Sequence, residues 1–288
     1  MLGRKIARHG IAILLTALLG PLLAATMVRL APGFDSDEAQ LDSHLNSESI
    51  HAIRQERLQQ HDILRFYFRS LRRAAQGDLG TSISLQQPVS KLLKDRAPLT
   101  LRIIGLGLLL SWAAALALAV GTAWLRVPGC DVMATVISGI LVCLPAAVLA
   151  LLSVLWNVPG AAAVALIVFP RDFRYARNLL GKAYSLSHIV TARAKGLHEV
   201  RVLLWHVVPV AAPQLLAVAG ISVSVAIGAT IPVEALCGLA GVGQLAWQAA
   251  LGRDLPLLVN ITVLVTLVTL LANCSADLIG GMLRGQEQ

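Results

Sequence analysis

The chain has 288 residues, 56% of them apolar and only 14% charged, with a formal net charge of +8. Soluble domains carry about a quarter charged residues, so this composition excludes an ordinary water-soluble fold. The basic excess falls between apolar runs rather than in a nucleic-acid footprint. It fits Lys and Arg retained on the cytoplasmic side of a membrane, and no nucleic-acid partner is expected.

Residues 10–28, 103–125, 133–156, 207–233 and 255–276 contain no Asp, Glu, Lys or Arg. Each is about as long as the roughly 20 residues a helix needs to cross a bilayer core, and none shows the polar face of a soluble core helix. The predicted fold is all-α, a polytopic transmembrane helical bundle of about six spans held in the lipid bilayer. Of the four cysteines, Cys143 and Cys274 lie inside apolar runs and are expected as small buried hydrophobes, with no disulfide implied.

Taken in chain order, residues 1–30 hold a basic tail and an apolar run whose order resembles a signal peptide. The run exceeds the usual apolar region of about 7–15 residues and no clear cleavage site follows, which predicts a retained first span at about 10–30. The segment 31–98 carries nine basic and nine acidic residues. Its Ile50, Ile53, Leu58, Ile63, Leu64, Phe68 and Leu71 predict two short amphipathic helices ending near Gly77. The remainder, 99–288, reads as the main transmembrane domain. A second span is expected at about 99–125 and a third at about 133–156, joined by a turn at Arg126, Pro128 and Gly129.

"NVPG" at 157–160 breaks the apolar pattern. Only 158–170 is apolar after it, and 13 residues of helix rise only about 20 Å. The fourth span must therefore continue through Arg171, Asp172 and Arg174, with those side chains snorkelling or facing protein. The fifth and sixth spans are expected at about 209–233 and 256–278. Arg4, Lys5 and Arg8, with seven Lys or Arg over 171–206 against Arg253 alone over 234–255, place both termini and the 171–206 stretch in the cytoplasm. Segment 31–98 then lies outside a multi-pass protein of the cell's inner membrane.

The stretch "TARAKGLHEVRVLLWHVVP" (191–209) is the polar interruption of this pattern. Residues 187–195 predict a short helix with Gly196 as the left-handed residue after it. A second helix is expected from His198, with Val200, Leu203, Leu204 and Val207 as one apolar stripe. A loop needing only to reverse direction could be a handful of residues; this one, at about 181–209, is longer. Two angled helices with a charged cytosolic face suggest a docking surface.

Ala192, Gly196 and Pro209 have the spacing of the EAA loop of ABC importer permeases, which this stretch resembles, and "TARAKGL" is similar to the form in dipeptide, oligopeptide and nickel permeases. Val190 and Thr191 fall where that motif has an acid and its first alanine. "RLAPG" (29–33), "GDLGTS" (77–82) and "VEALCGLAGVGQLAWQAALGRDLPLL" (233–258) are similar to the same family, with Cys237 and Ala240 in place of its usual aromatic and proline.

The resemblance implies a type I ABC importer permease, a transport subunit rather than an enzyme. Thr191, Ala192, Arg193, Ala194, Lys195, Gly196, Leu197 and Pro209 would form the loop that couples to the ATPase. It implies as partners a second permease subunit (hetero- or homodimer), two ABC ATPase subunits and an extracytoplasmic substrate-binding protein. The chain has no P-loop pattern, so no cofactor is expected in it, and ATP and Mg belong to the partner ATPase. The expected cargo is a peptide or a similar small solute.

Glu234, Arg253 and Asp254, at the outer ends of spans five and six, are candidates for substrate or binding-protein contacts, with interfacial anchoring as the plainer role. Gly220, Ser224 and Gly228 recur four apart on span five, a pattern for close helix packing, and the family places this span near the transport pathway. Other readings are an ion-coupled secondary transporter, which calls for charged residues mid-span in two related halves, and a degenerate non-transporting membrane scaffold.

Overall fold

The computed structural model describes residues 63–125 and 128–285, with 19–20, 22–23 and 26–27. The predicted first span and the Ile50–Leu58 portion of the polar segment fall largely outside the described residues. The elements in order are α1 (Ile63–Ala75), α2 (Val89–Leu125), α3 (Pro128–Cys143), α4 (Ala146–Leu155), α5 (Gly160–Tyr184), α6 (Ser187–Ala194), α7 (Glu199–Val202), a π-helical turn (Leu203–Val207), α8 (Val208–Leu236), α9 (Val242–Leu251) and α10 (Leu255–Gly285). No strand occurs among the described residues; Thr81 and Pro88 make an isolated antiparallel bridge. The chain divides into one unit of residues up to Pro98 with Ala240–Val268, and another of Leu99–Leu239 with the residues from Thr269 on.

In the first unit, α1 buries Tyr67 and, one turn on, partly buries Leu71 against Leu255 and Val259 of α10. The helix stops as expected, with Gly77 at φ +85°. The turn that follows is held by Asp78, which accepts from the Gly80 N–H at 2.9 Å and Arg73 Nε at 3.0 Å. That backbone N–H, and then the Arg73 guanidinium, hold its carboxyl below the usual carboxylate range. Val242, Leu245 and Ala249 on α9, spaced three and four apart, pack on Val89, Leu92 and Leu93 of α2 and Leu257, Leu258 and Ile261 of α10.

The second unit is built on α5 lying along α8, with α4 against both and α3 against α5. Ile103 of α2, Ala150 of α4, Ala163, Val164 and Val168 of α5, and Ala226 and Val233 of α8 form one core. Among the described residues, three continuous helical stretches are long and apolar enough to cross a membrane: Val89–Ala123, Glu199–Leu236 and Leu255–Ala276.

The third expected span is not one helix. It bends by 102° between α3 and α4, because Pro145, at the N-cap of α4, cannot continue a helix and biases Leu144 away from helical geometry. Of the described side chains of α3 only Ser138 is buried, so Cys143, expected inside, is exposed. The helix expected as the fourth span does run on through Arg171, Asp172 and Arg174 as a single 25-residue helix, but it is not among the described helices long and apolar enough to cross a membrane. Asp172 faces protein and is fully buried, Arg171 lies 5.8 Å over the Tyr175 ring, and Arg174 is exposed.

Gly220 and Gly228, alike in sequence pattern, differ in surroundings. A Cβ on Gly220 would overlap the Ala276 methyl of α10, whereas nothing lies within 4 Å of one on Gly228. Ser224, between them, meets Asn273 Oδ1 at 3.2 Å. Gly220→Ala is expected to lower the melting temperature in detergent by forcing α8 and α10 apart, at about 1–3 kcal/mol. Gly228→Ala should be neutral or stabilising by about 1 kcal/mol through helix propensity; equal melting shifts would refute the distinction.

Candidate functional site

The elbow begins where α5 ends at Tyr184 and is fixed by its own backbone. At the end of α6 the Leu197 N–H reaches the Ala192 carbonyl at 3.4 Å and the Gly196 N–H reaches that of Arg193 at 2.9 Å. This paired closure needs a left-handed residue, and Gly196 supplies it at φ +76°. The next helix starts one residue later, with His198 at its N-cap and its Nδ1 accepting from the Val200 N–H at 3.4 Å.

Arg193 closes the angle between the two helices. Its Nη2 donates to Glu199 Oε2 at 2.9 Å, its Nε lies 2.9 Å from Glu199 Oε1, and its guanidinium sits 5.0 Å above the Tyr184 ring. One side chain thus joins the end of α5, the end of α6 and the start of α7. Beneath it Ile189, Ala192, Val202 and Val207 are buried with Phe173, Leu180 and Ala183 of α5 and Ala211 of α8. Each buried Ile or Val contributes about 1.5–3 kcal/mol relative to exposure.

The structure redraws the expected apolar stripe. Val202 and Val207 are buried and Leu203 is half-buried, while Val200 and Leu204 are exposed. The cause is the π turn, in which the Val208 N–H bonds to the Leu203 carbonyl five residues back. Residues five apart then share a face, as Val202 and Val207 do. Pro209 explains the widening: it has no N–H to give, and in a regular helix its ring would press on the Trp205 carbonyl.

Of the residues read from sequence as the coupling loop, Thr191, Ala194, Lys195 and Gly196 are exposed, Ala192 is buried, Arg193 and Leu197 are half-buried, and Pro209 lies in the first turn of α8. The exposed four lie together across the α6 terminus, with Thr191 and Lys195 as their polar side chains. Arg177, two turns before the end of α5, makes a two-pronged ion pair with Asp131 at the start of α3. A cleft of about 480 Å³ lies beside that pair, lined also by Thr122, Asn178 and Lys182.

The candidates outside the elbow are distributed among other contacts. Glu234, buried in α8, accepts from Thr100 Oγ1 of α2 at 2.7 Å. In the first unit Asp254 is buried, accepts from Ser82 Oγ, from the Ser84 N–H at 3.0 Å and from Ser84 Oγ at 2.9 Å, and caps α10 through the Leu257 N–H at 3.1 Å. Two motifs read separately, "GDLGTS" and "GRDLP", are therefore tied through one carboxylate. Asn260 adds a hydrogen bond to the Leu79 carbonyl at 3.0 Å. Arg253 holds a left-handed φ of +52°, which lets the Asp254 N–H return to the Ala249 carbonyl.

Asp172 escaped sequence reasoning as a centre of contacts. Ser111 Oγ of α2 donates to its Oδ2 at 2.8 Å, and Ser222 Oγ of α8 to its Oδ1. The available signal was the need of any carboxylate at membrane depth for a polar partner, although sequence does not say which serine meets it.

Apolar helices of spanning length, one of them leading out of a braced, charged elbow, define a helical membrane protein. The chain belongs to the family of binding-protein-dependent transport system inner membrane components, whose profile matches residues 115–284, more than half of its length. It is 31% identical over 207 residues to a Brucella abortus chain that carries the provisional name peptide transport system permease protein, a match covering 62% of this chain and 65% of that one. This chain thus spans less than two thirds of that relative's length. It is 28% identical to the oligopeptide transport system permease protein OppB of Haemophilus influenzae, over 88% of this chain and 89% of that one. Against the nickel import system permease protein NikB of Staphylococcus aureus it is 23% identical, over 89% and 83%.

Two outcomes follow from these contacts. In a double-mutant cycle Arg193→Gln and Glu199→Gln should couple by about 0.5–1 kcal/mol, and each alone should speed amide exchange over 194–199; additive effects would show that the pair does not brace the elbow. Asp254→Ala removes a helix cap and orphans the hydroxyls of Ser82 and Ser84. It should cost about 2–4 kcal/mol and raise exchange at 82–86, and unchanged exchange there would refute the tie.

Proposed function

We propose that this chain is the permease subunit of an ATP-driven importer, which pairs with a second permease, two ATPase subunits and an extracytoplasmic binding protein. Its cargo in this reading is a peptide or a similar small solute, in keeping with the names of the Brucella and Haemophilus relatives. Both termini and the elbow face the cytoplasm, 1–30 supplies the first span, 31–98 lies outside, and 99–288 forms the transport domain. The charge asymmetry between 171–206 and 234–255 supports that orientation.

The observation that carries this reading is the elbow: Thr191, Ala194, Lys195 and Gly196 face outward from a short helix that Arg193, Glu199 and Tyr184 hold rigid against α5 and α8. A rigid patch fused to a spanning helix can pass a rigid-body displacement from a docked partner into the bundle. ATP binding and hydrolysis fall to the partner ATPase. Gly220, Ser224 and Gly228 stand as pathway candidates and Glu234, Arg253 and Asp254 as candidates near the binding-protein side. Glu234 and Asp254 act there through the helices they hold, since both are buried.

Gly196 gives the test. Space around it is open, so a substitution acts through the left-handed backbone and the outward surface. Gly196→Val should leave membrane insertion intact, retain ATP hydrolysis by the assembled complex and reduce solute uptake at least tenfold. Gly196→Asn, which tolerates the left-handed region, should lose much less. Normal uptake by the valine variant in reconstituted vesicles would rule out the coupling role.

A further inference from the structure

The second exposed feature of the elbow is apolar and aromatic. Trp205 is 74% exposed and Leu204 56%, and the Trp205 indole N–H has no acceptor among the described residues. Both belong to the π turn, which leads directly into the charge-free run 207–233. The continuous helical stretch Glu199–Leu236 has 38 residues, about 57 Å at 1.5 Å per residue, against a hydrocarbon core of about 30 Å. A large part of it must stand outside that core, and Trp205 lies where charge-free sequence begins.

The direction of the ring is set by the helix. Trp205, Pro209, Ala212 and Leu216 recur at i, i+4, i+7 and i+11, and each is exposed or half-buried, so the indole continues a face of the spanning helix. Arg201, one turn toward the elbow on the same side, is exposed and has no ion pair among the described residues. An aromatic ring with an exposed N–H at the edge of an apolar helix face, with a cation one turn beyond, matches the layering of a lipid leaflet, acyl chains below and phosphates above.

We infer that Trp205 and Arg201 form a lipid-docking site at the cytoplasmic interface, with the indole seated at headgroup depth and the guanidinium on the phosphate of an anionic phospholipid. The inference rests on the membrane orientation proposed above. Lipid fits this face better than a protein groove because the exposed positions run on from the elbow along the span. The π turn has a role here as well: it sets the register that leaves Leu204 and Trp205 outward while Val202 and Val207 turn inward. The elbow is then held from two sides, by α5 and α8 within the protein and by the leaflet at Trp205.

The test uses the full chain in its host membrane, with p-benzoylphenylalanine at position 205, irradiation, and mass spectrometry of the adducts. The expected product is a phospholipid adduct enriched in anionic over zwitterionic headgroups. Arg201→Gln should cut that enrichment by about fivefold and Arg201→Lys should keep most of it. The same probe at Leu271, exposed on α10, reports whether the chain lies in lipid at all. Phospholipid adducts at 271 with none at 205, or a protein adduct at 205, would overturn the site while leaving the membrane reading intact. No phospholipid adduct at either position would overturn both. Enrichment unmoved by Arg201→Gln would remove the guanidinium from the site and defeat the proposal.

Discussion

The angle of the elbow is set by one ion pair closing across a glycine. An apolar core holds α6 and α7 down on α5, but without Arg193 on Glu199 the two short helices would be joined on their outer side through Gly196 alone. With it, the guanidinium pins both to the Tyr184 ring at the end of α5. The contacts then form a closed ring inside the second unit: α5 meets α8 through Asp172 and Ser222, α8 continues back into the π turn and α7, and Glu199 returns through Arg193 to α5. A push on the outer face of α6 has few soft joints to dissipate it.

Polar side chains at depth follow the same economy. Asp172 takes hydroxyls from two other helices, Glu234 takes Thr100, and Ser224 meets Asn273. In apolar surroundings an unpartnered carboxylate is costly, so each such residue holds helices in register as well as being satisfied. Asp254 does this in the first unit by capping α10 while drawing in the 82–84 segment. Glu234 and Asp254 read from sequence as surface contacts or anchors, and burial recasts them as the fasteners of the helices that carry the surface.

Much of the elbow was legible because its determinants are local. Gly196 signals a left-handed stop, His198 a start, and Ala192, Gly196 and Pro209 a family spacing; the structure has the stop and the start where they were expected. What sequence did not reveal depends on partners far along the chain or on a change of helical period. A period of 3.6 assigned the apolar stripe to Val200, Leu203, Leu204 and Val207; with the π turn Val207 is indeed buried, but Val202 joins it inside while Val200 and Leu204 turn outward. Pro145 sits inside an unbroken apolar run, and hydropathy alone passed over the bend it makes. The bond from Ser82 to Asp254 spans 172 positions, beyond any local pattern. The continuation of α5 through Arg171 and Asp172 was forced by length, but the serines that receive Asp172 were not.

The central claim is that the outward face of α6 is the contact through which a separate ATPase moves this bundle. Thiol cross-linking from Lys195→Cys, in membranes holding the whole assembly, tests it most directly. The account predicts a covalent adduct between this chain and the ATPase subunit, strong from position 195 and absent from a cysteine at the buried position Ala192. An assembled complex giving no ATPase adduct from 195, or giving one only with an extracytoplasmic protein, would contradict both the docking face and the orientation.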